Sequence, residues 1–474
     1  MTWRAANEPR YSATKGIGDM GFFKAYDMRG TFGADFDLDT VYRVGLCLPK
    51  VLGGRRYLVG RDCRLTGEKC CRALIAGLEE AGIEVVDAGL CTTPMVYFRT
   101  SEENFDASVM VTASHNPPGD NGLKVSKRES LPVGYSSGLD KVEKLVSQCS
   151  AHYDENAAKE CRKTVDAERL GKYIAWMKHH TEEIKGVRYA VDCSNGMASI
   201  AAKELFPGAI IINDTPDGNF PCHSPNPLSK EAREQISALV REKKLDFGII
   251  FDGDADRAMF VDERGEFIQP DYLVPVIADE CVRAEDCAVK CNKVLHDVRT
   301  SRAVIESLKD KHFEPVMVAV GHANAKPVLR DLPGALCGGE LAGHYYFKDF
   351  HCCDSGLLAA LRIANAFGRG ISDGKSVSGI MEPLIGKYAN SGELNFKVAS
   401  KSKSIEKALE TIAKSFPKEE SRVTIDGIRI EFECGWVNIR QSNTEPYLRL
   451  IVEAKTREQM EDWVAKLKEA ILSC

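Results

Sequence analysis

Apolar residues recur along this chain in two rhythms. Short uninterrupted runs, such as Ala107-Ser108-Val109-Met110-Val111 and Phe247-Gly248-Ile249-Ile250-Phe251, have the length of strands buried on both faces. Shorter runs at 57–60, 84–89, 189–192, 293–298 and 315–320 predict further strands, and Phe22–Gly30 is strand-like and ends in a glycine turn. Between them, helical spacing predicts helices over 38–52, 67–81, 229–243, 355–366 and 456–471. Strand, helix, strand at this spacing predicts βαβ units on a largely parallel sheet, an α/β fold. Three such units are expected at 21–163, 164–264 and 265–386. A last unit at 387–474 alternates like an α+β domain, and a hinge is expected near 385–394. Residues 1–20 mix charges without an apolar core, which predicts a disordered arm and not a signal peptide.

Composition adds exclusions. The chain of 474 residues has a net charge of −6, which gives no electrostatic case for nucleic acid or an anionic membrane. No run reaches the roughly 20 apolar residues of a membrane span. The 17 cysteines lack zinc-ribbon spacing and include adjacent pairs, so they read as reduced thiols of a cytoplasmic protein. Cys281, Cys287 and Cys291 form a loose metal candidate that is better explained as small buried hydrophobes.

The candidate chemistry lies at strand ends. The run 107–111 leads into Thr112-Ala113-Ser114-His115-Asn116-Pro117-Pro118, and the turn dipeptide Asn121-Gly122 follows. Ser114, with an imidazole beside it and Lys124 ten residues on, can be a nucleophile or a phosphate carrier. The run 247–251 leads into Asp252-Gly253-Asp254-Ala255-Asp256-Arg257. Alternating carboxylates on one loop suit a hard divalent cation, Mg²⁺ before Ca²⁺. An EF-hand is excluded because Arg257 stands where its turn needs glycine. Glu340 and His344 share a glycine-flanked loop. The carboxylate can accept two sugar hydroxyls, and the imidazole can move a proton or bind phosphate. Arg440 to Arg449 offers guanidinium groups, hydroxyls and loop N–H groups, the makings of a phosphate cradle. Together these point to phosphoryl transfer on a polyhydroxylated phosphate ester.

With Thr-Ala-Ser-His-Asn-Pro at 112–117 and Asp-Gly-Asp-Ala-Asp-Arg at 252–257, in that order, the sequence resembles the α-D-phosphohexomutase family, in its phosphomannomutase/phosphoglucomutase branch. The likeness runs from about Phe22 to Val452. It implies three related α/β domains with mixed sheets and a mobile C-terminal α+β domain around a central cleft. It implies that Ser114 is carried as phosphoserine and that Ser114, Asp252, Asp254 and Asp256 meet the Mg²⁺. Glu340 would read sugar hydroxyls, and Arg440, Ser442, Asn443 and Thr444 would grip the substrate phosphate, with Arg449 nearby. Tyr26, Arg29, Lys124, Arg257, His322 and His344 match positions lining the cleft, and Lys124, Arg299 and the histidines are candidates for proton and charge work. The implied reaction converts a hexose 1-phosphate to its 6-phosphate through a hexose 1,6-bisphosphate, which also serves as activator. The implied partner is a small sugar phosphate, and the protein is expected as a monomer or homodimer.

Two positions depart from that pattern. Ala342 replaces a serine in the sugar loop, and Arg299 replaces a lysine, keeping the charge but not the ready proton. The alternatives are a phosphoglucosamine mutase, which Thr112 and Asn443 argue against, and a non-catalytic sugar-phosphate binder, which Ala342 alone supports.

Overall fold

The structure, a computed structural model, describes residues 21–284, 291–442 and 447–473. The expected arm at 1–20 lies outside the described residues, as do Cys287, Asn443 and Thr444.

Four sheets follow one another along the chain. The first three share a plan. In the first, Glu84–Leu90, Arg56–Arg61 and Ala107–Val111 lie parallel, then Asp120–Lys127 and Met28–Thr31 run antiparallel. The second repeats it with Ile210–Ile212, Tyr189–Asp192 and Phe247–Phe251, then Ala258–Val261 and Phe267–Ile268. The third repeats it with Glu314–Val318, Lys293–Asp297 and Ala335–Gly339, then Tyr345–Phe347 and Cys353–Asp354. The sheets are therefore mixed, where periodicity alone suggested mostly parallel pairing. The reason is the connection after the third parallel strand: it is too short for a crossover helix, so the chain must return antiparallel. That same connection is the Ser114 loop, the Asp252–Arg257 loop and the Glu340–His344 loop in turn. Three repeats thus present three equivalent loops.

The fourth sheet pairs its strands antiparallel and carries helices Lys401–Ser415 and Arg457–Leu472. Its apolar core is separate, centred on Phe432, Val437, Leu450 and Trp463. One continuous core instead runs through the first three units, from Leu58 and Tyr97 through Phe251 and Phe260 to Leu336 and Phe347. The helix Gly356–Ser372 sits in it, capped by Ser355 and extending past the 366 expected from spacing.

One local expectation fails, and one helix goes unannounced, for physical reasons. Asn121-Gly122 is not a turn but lies inside the strand Asp120–Lys127. A Cβ on Gly122 would stand 2.2 Å from the Met28 carbonyl oxygen, so glycine serves strand approach there. The helix Thr93–Glu102 was not legible, because residues 93–100 are all buried and leave no polar stripe.

Candidate active site

Ser114 is held in the left-handed region, φ 53°, with its N–H bonded to Thr112 Oγ1 at 2.8 Å. Four carbonyls of its loop, on Ser114, Asn116, Pro117 and Asp120, accept from the guanidinium of Arg64 at 2.6–2.9 Å. Asp62 completes the clamp, accepting from Thr112 Oγ1 at 2.6 Å and lying 3.3 Å from Arg64 Nε. Ser114 Oγ donates to Asp252 Oδ2 at 2.8 Å and lies 3.3 Å from His115 Nδ1. Burial, then the cations of Arg257 and Arg29, push the His115 imidazole well below its ordinary pKa, which keeps it neutral.

The aspartate loop reaches this serine because of Gly253, whose Cβ would stand 2.6 Å from the Ser114 carbonyl oxygen. Asp252, Asp254 and Asp256 are fully buried and their ligating oxygens lie within 4.8 Å of one another. Burial and the two neighbouring carboxylates push Asp252 well above the usual carboxylate range. Lys124 Nζ donates to Asp254 Oδ2 at 2.7 Å and Asp256 Oδ2 at 2.5 Å. Asp254 Oδ1 and Asp256 Oδ1 are buried without a hydrogen-bond partner. Three carboxylates, two of them with an orphaned oxygen, and the serine hydroxyl beside them fit a hard divalent cation.

Arg257 points onward to the third unit, donating from Nε to His344 Nε2 at 2.9 Å. His344 Nδ1 faces Asp354 Oδ2 at 2.8 Å, and Lys326 pairs with the other Asp354 oxygen at 2.6 Å. Glu340 is buried and accepts from the Tyr346 hydroxyl and from Gly321 N–H. His322 starts the helix His322–Asp331 beside Tyr26, whose hydroxyl donates to Val320 O at 2.9 Å. Burial, then Lys326, holds His322 well below its ordinary pKa, and its Nδ1 is buried without a partner. Arg29 bonds Asn116 Oδ1 at 2.9 Å and Asp27 at 2.5 Å, at the edge of the serine loop.

Arg440 and Arg449 do not lie in a loop, as their spacing suggested. They face each other across the strands Gly435–Gln441 and Leu448–Ala454, and the hairpin closes where Ser442 N–H bonds Tyr447 O at 2.9 Å. Alternation places them on one face of the sheet. Both grip one carboxylate, Glu393, at 2.8 and 2.7 Å, and Arg299 reaches the same group at 3.5 Å. Burial alone would raise Glu393, but the three guanidinium groups outweigh it and hold it at about 2. Arg299 is otherwise clamped by Asp297, 2.7 Å away.

Four sequence-family descriptions match in order. They are phosphoglucomutase/phosphomannomutase alpha/beta/alpha domain I at residues 20–151, domain II at 171–265, domain III at 269–388 and the C-terminal domain at 393–470. The phosphomannomutase of Methanocaldococcus jannaschii is 35% identical over 463 residues, covering 96% of this chain and 98% of that protein. The chain belongs to the phosphoglucomutase/phosphomannomutase family. The phosphomannomutase of Vibrio cholerae is also 35% identical, over 95% of this chain and 98% of its own. A solved phosphoglucomutase/phosphomannomutase family protein from Burkholderia thailandensis is 29% identical with a TM-score of 0.80, covering 95% of this chain and 97% of that one. The chain is therefore a sugar-phosphate mutase, an isomerase of carbohydrate metabolism.

Among the described members of the expected set, Ser114, Lys124, Arg257, His344 and the three aspartates meet at one point. Arg29 borders the serine loop through Asn116, Tyr26 and His322 stack edge to face, His322 neighbours His344, and Arg299 lies 3.7 Å from Glu340. Arg440, Ser442 and Arg449 lie on the C-terminal domain, where Glu393 links both arginines to Arg299. Sequence reasoning missed Asp62, Arg64, Asp354 and Glu393. The first two follow a predicted strand at its C-terminal end, where α/β proteins keep their chemistry, so position alone could have found them. Cys281 is buried against Arg362 Nη1 at 3.1 Å, and no metal-ligating trio among the described residues includes it. Among the described residues, no helix is long and apolar enough to cross a membrane.

Proposed function

We propose that this mutase interconverts hexose 1-phosphate and hexose 6-phosphate, with mannose or glucose as the sugar, through phospho-Ser114 and a hexose 1,6-bisphosphate. The observation that carries the reading is the 2.8 Å bond from Ser114 Oγ to Asp252, where the unsatisfied oxygens of Asp254 and Asp256 converge. Ser114, Asp252, Asp254 and Asp256 would hold Mg²⁺, which when bound neutralises charge on the transferring phosphoryl group.

In the forward half, the P–O bond to Ser114 breaks as a sugar hydroxyl oxygen bonds phosphorus. The hydroxyl proton passes to a base, and the serine oxygen leaves with its electron pair. After the bisphosphate turns over, the other phosphoryl group returns to Ser114 by the reverse step. Lys124 and Arg257 supply fixed positive charge beside the transferring group. His344 is engaged on both nitrogens and Arg299 is clamped by Asp297, so His322, with its unpartnered Nδ1, is the favoured proton acceptor. Glu340 accepts sugar hydroxyls, and Arg440, Ser442, Asn443, Thr444 and Arg449 hold the non-reacting phosphate. Domain boundaries at 163/164, 264/265 and 386/387 fall in, or within two residues of, the gaps between the matched family segments.

Phosphorus NMR tests this. Purified protein with Mg²⁺ and a trace of hexose 1,6-bisphosphate receives mannose, glucose or glucosamine 1-phosphate in separate tubes. Growth of 6-phosphates in the first two is expected, and Ser114→Ala abolishes it. Growth with the glucosamine ester alone would move the protein to the glucosamine branch. No growth in any tube would favour a sugar-phosphate binder.

A further inference from the structure

A second cluster lies away from the cleft. Cys71, on the helix Gly67–Glu80, neighbours Cys161, on the stretch between helices Leu139–Gln148 and Ala167–His179, and Cys161 Sγ donates to the Glu68 carbonyl oxygen at 3.8 Å. Their sulfurs and an Asp87 carboxylate oxygen lie within 4.8 Å of one another. We propose that Cys71 and Cys161 are a redox-active dithiol that a hydroperoxide converts to a disulfide, stapling the segment joining the first two domains onto that helix.

A metal reading fits less well. Asp87 is already committed, accepting from Gly89 N–H at 2.8 Å and Arg162 N–H at 2.5 Å. A soft structural cation wants four donors, and the described residues bring three groups together. Arg61 also faces both sulfurs, opposed by Asp87, and its guanidinium favours thiolate over a bound cation. The neighbouring Cys71 thiol lowers Cys161 against burial, while Cys161, then burial, raises Cys71. Cys161 is 7% exposed and Cys71 fully buried, so an oxidant meets Cys161 first.

The chemistry balances in two steps. The Cys161 thiolate attacks one peroxide oxygen, the O–O bond breaks, and the departing oxygen leaves as alcohol or water after taking a proton. The Cys71 sulfur, giving up its proton, then attacks the Cys161 sulfenic sulfur. The S–O bond breaks and water leaves. Two thiols lose two electrons and the peroxide gains them.

The staple would replace weak contacts. The segment is held to the helix by the exposed ion pairs of Lys159 with Glu79 and Lys163 with Glu68, each of small worth, and by half-buried Arg72, which pairs with Glu160 and donates to the Glu155 and Ala158 carbonyls at 3.3 Å. It also touches the strand end that bears Asp62 and Arg64, through Arg61 Nη2 and the Arg162 carbonyl at 3.5 Å.

The test uses full-length reduced protein, graded hydrogen peroxide, rapid alkylation and peptide mass mapping. A Cys71–Cys161 linked peptide is expected before any linked peptide from Cys47–Cys149 or Cys281–Cys337, two other pairs of neighbouring thiols. Dithiothreitol should reverse it, and trypsin should cut at Lys159, Arg162 and Lys163 several-fold more slowly while it persists. Cys161→Ser removes the link, and Cys71→Ser leaves a dimedone-reactive sulfenic acid at Cys161. Should the Cys71→Ser chain fail to fold, the wild-type map decides alone. Sulfinic acid at Cys161 with Cys71 still alkylatable, earlier linkage of either comparator pair, or stoichiometric zinc released by thiol modification would each overturn the proposal.

Discussion

Around Ser114, charge is held by many buried partners. Around Arg440 and Arg449, the described residues bring one shared carboxylate. The serine loop hangs from Arg64, whose side chain is fully buried, and Asp252, Asp254 and Asp256 answer to Lys124 and Arg257 from two domains joined by one apolar core. The arginine pair belongs to a domain with its own core, and Glu393 lies between Ala389–Asn390 and Leu394–Phe396, two strands of the same sheet. In the proposed mechanism the first arrangement fixes the groups that form and break bonds, where an ångström of misplacement costs rate. The second would let go when a substrate phosphate offers the same guanidinium groups a better acceptor than Glu393. An intermediate that turns, as proposed, needs both behaviours.

The sharpest way to break this contrast is to remove a buried group. Asp254→Asn takes one candidate cation ligand and one partner of Lys124 together. Turnover should fall roughly a thousandfold or more, with the fold retained by circular dichroism. A loss under tenfold, measured as hexose 6-phosphate formation at saturating Mg²⁺, would unseat the aspartate centre. Arg64→Ala comes next. It frees four carbonyls and strands the fully buried Asp62, so the first domain should lose about 3–5 kcal/mol, read as a lower unfolding midpoint. Unchanged stability would mean the clamp is redundant.

The cradle should respond more gently. Glu393→Gln removes the internal competitor for Arg440 and Arg449. The KM for hexose 1-phosphate should drop by roughly three- to tenfold and kcat should fall with it. A raised KM would show instead that Glu393 only orients the arginines. Acid probes the same contact. Glu393 is held at about 2, below its ordinary 4.5, so its ionised form stabilises the folded C-terminal domain fully above pH 4.5. That contribution fades as pH falls toward 2. The urea midpoint of this domain should therefore fall below pH 4.5 in the native chain by more than in Glu393→Gln.

How much of this was legible follows from where each residue sits. The Ser114 and aspartate loops announced themselves because an apolar run followed by a polar, turn-rich segment is a local pattern. Glu340 stood out instead by the glycines flanking its loop, with no strand expected before it. The mixed pairing of each sheet did not, since nothing in a strand's own residues says which neighbour it takes. Arg64 and Glu393 were hidden for the same reason. An arginine after a strand reads as solvated until the fold wraps four carbonyls around it, and Glu393 reads as a linker charge until Arg299, Arg440 and Arg449 converge on it.

The smallest expected effect lies at Ala342. It sits half-buried in the loop between Ala335–Gly339 and Tyr345–Phe347, two residues from both Glu340 and His344. Glu340 is already bonded to Tyr346 and Gly321, so the carboxylate is oriented without help from position 342. A serine there would add a single hydroxyl contact to the sugar. One added neutral hydrogen bond is worth about 0.5–1.5 kcal/mol, so Ala342→Ser should raise kcat/KM by roughly two- to twelvefold. If the contact forms equally in ground and transition states, the gain appears in KM alone. If it tightens as the ring turns, kcat rises too. No gain with mannose or glucose would mean that the loop's own hydrogen bonds, and not position 342, decide how the sugar is read.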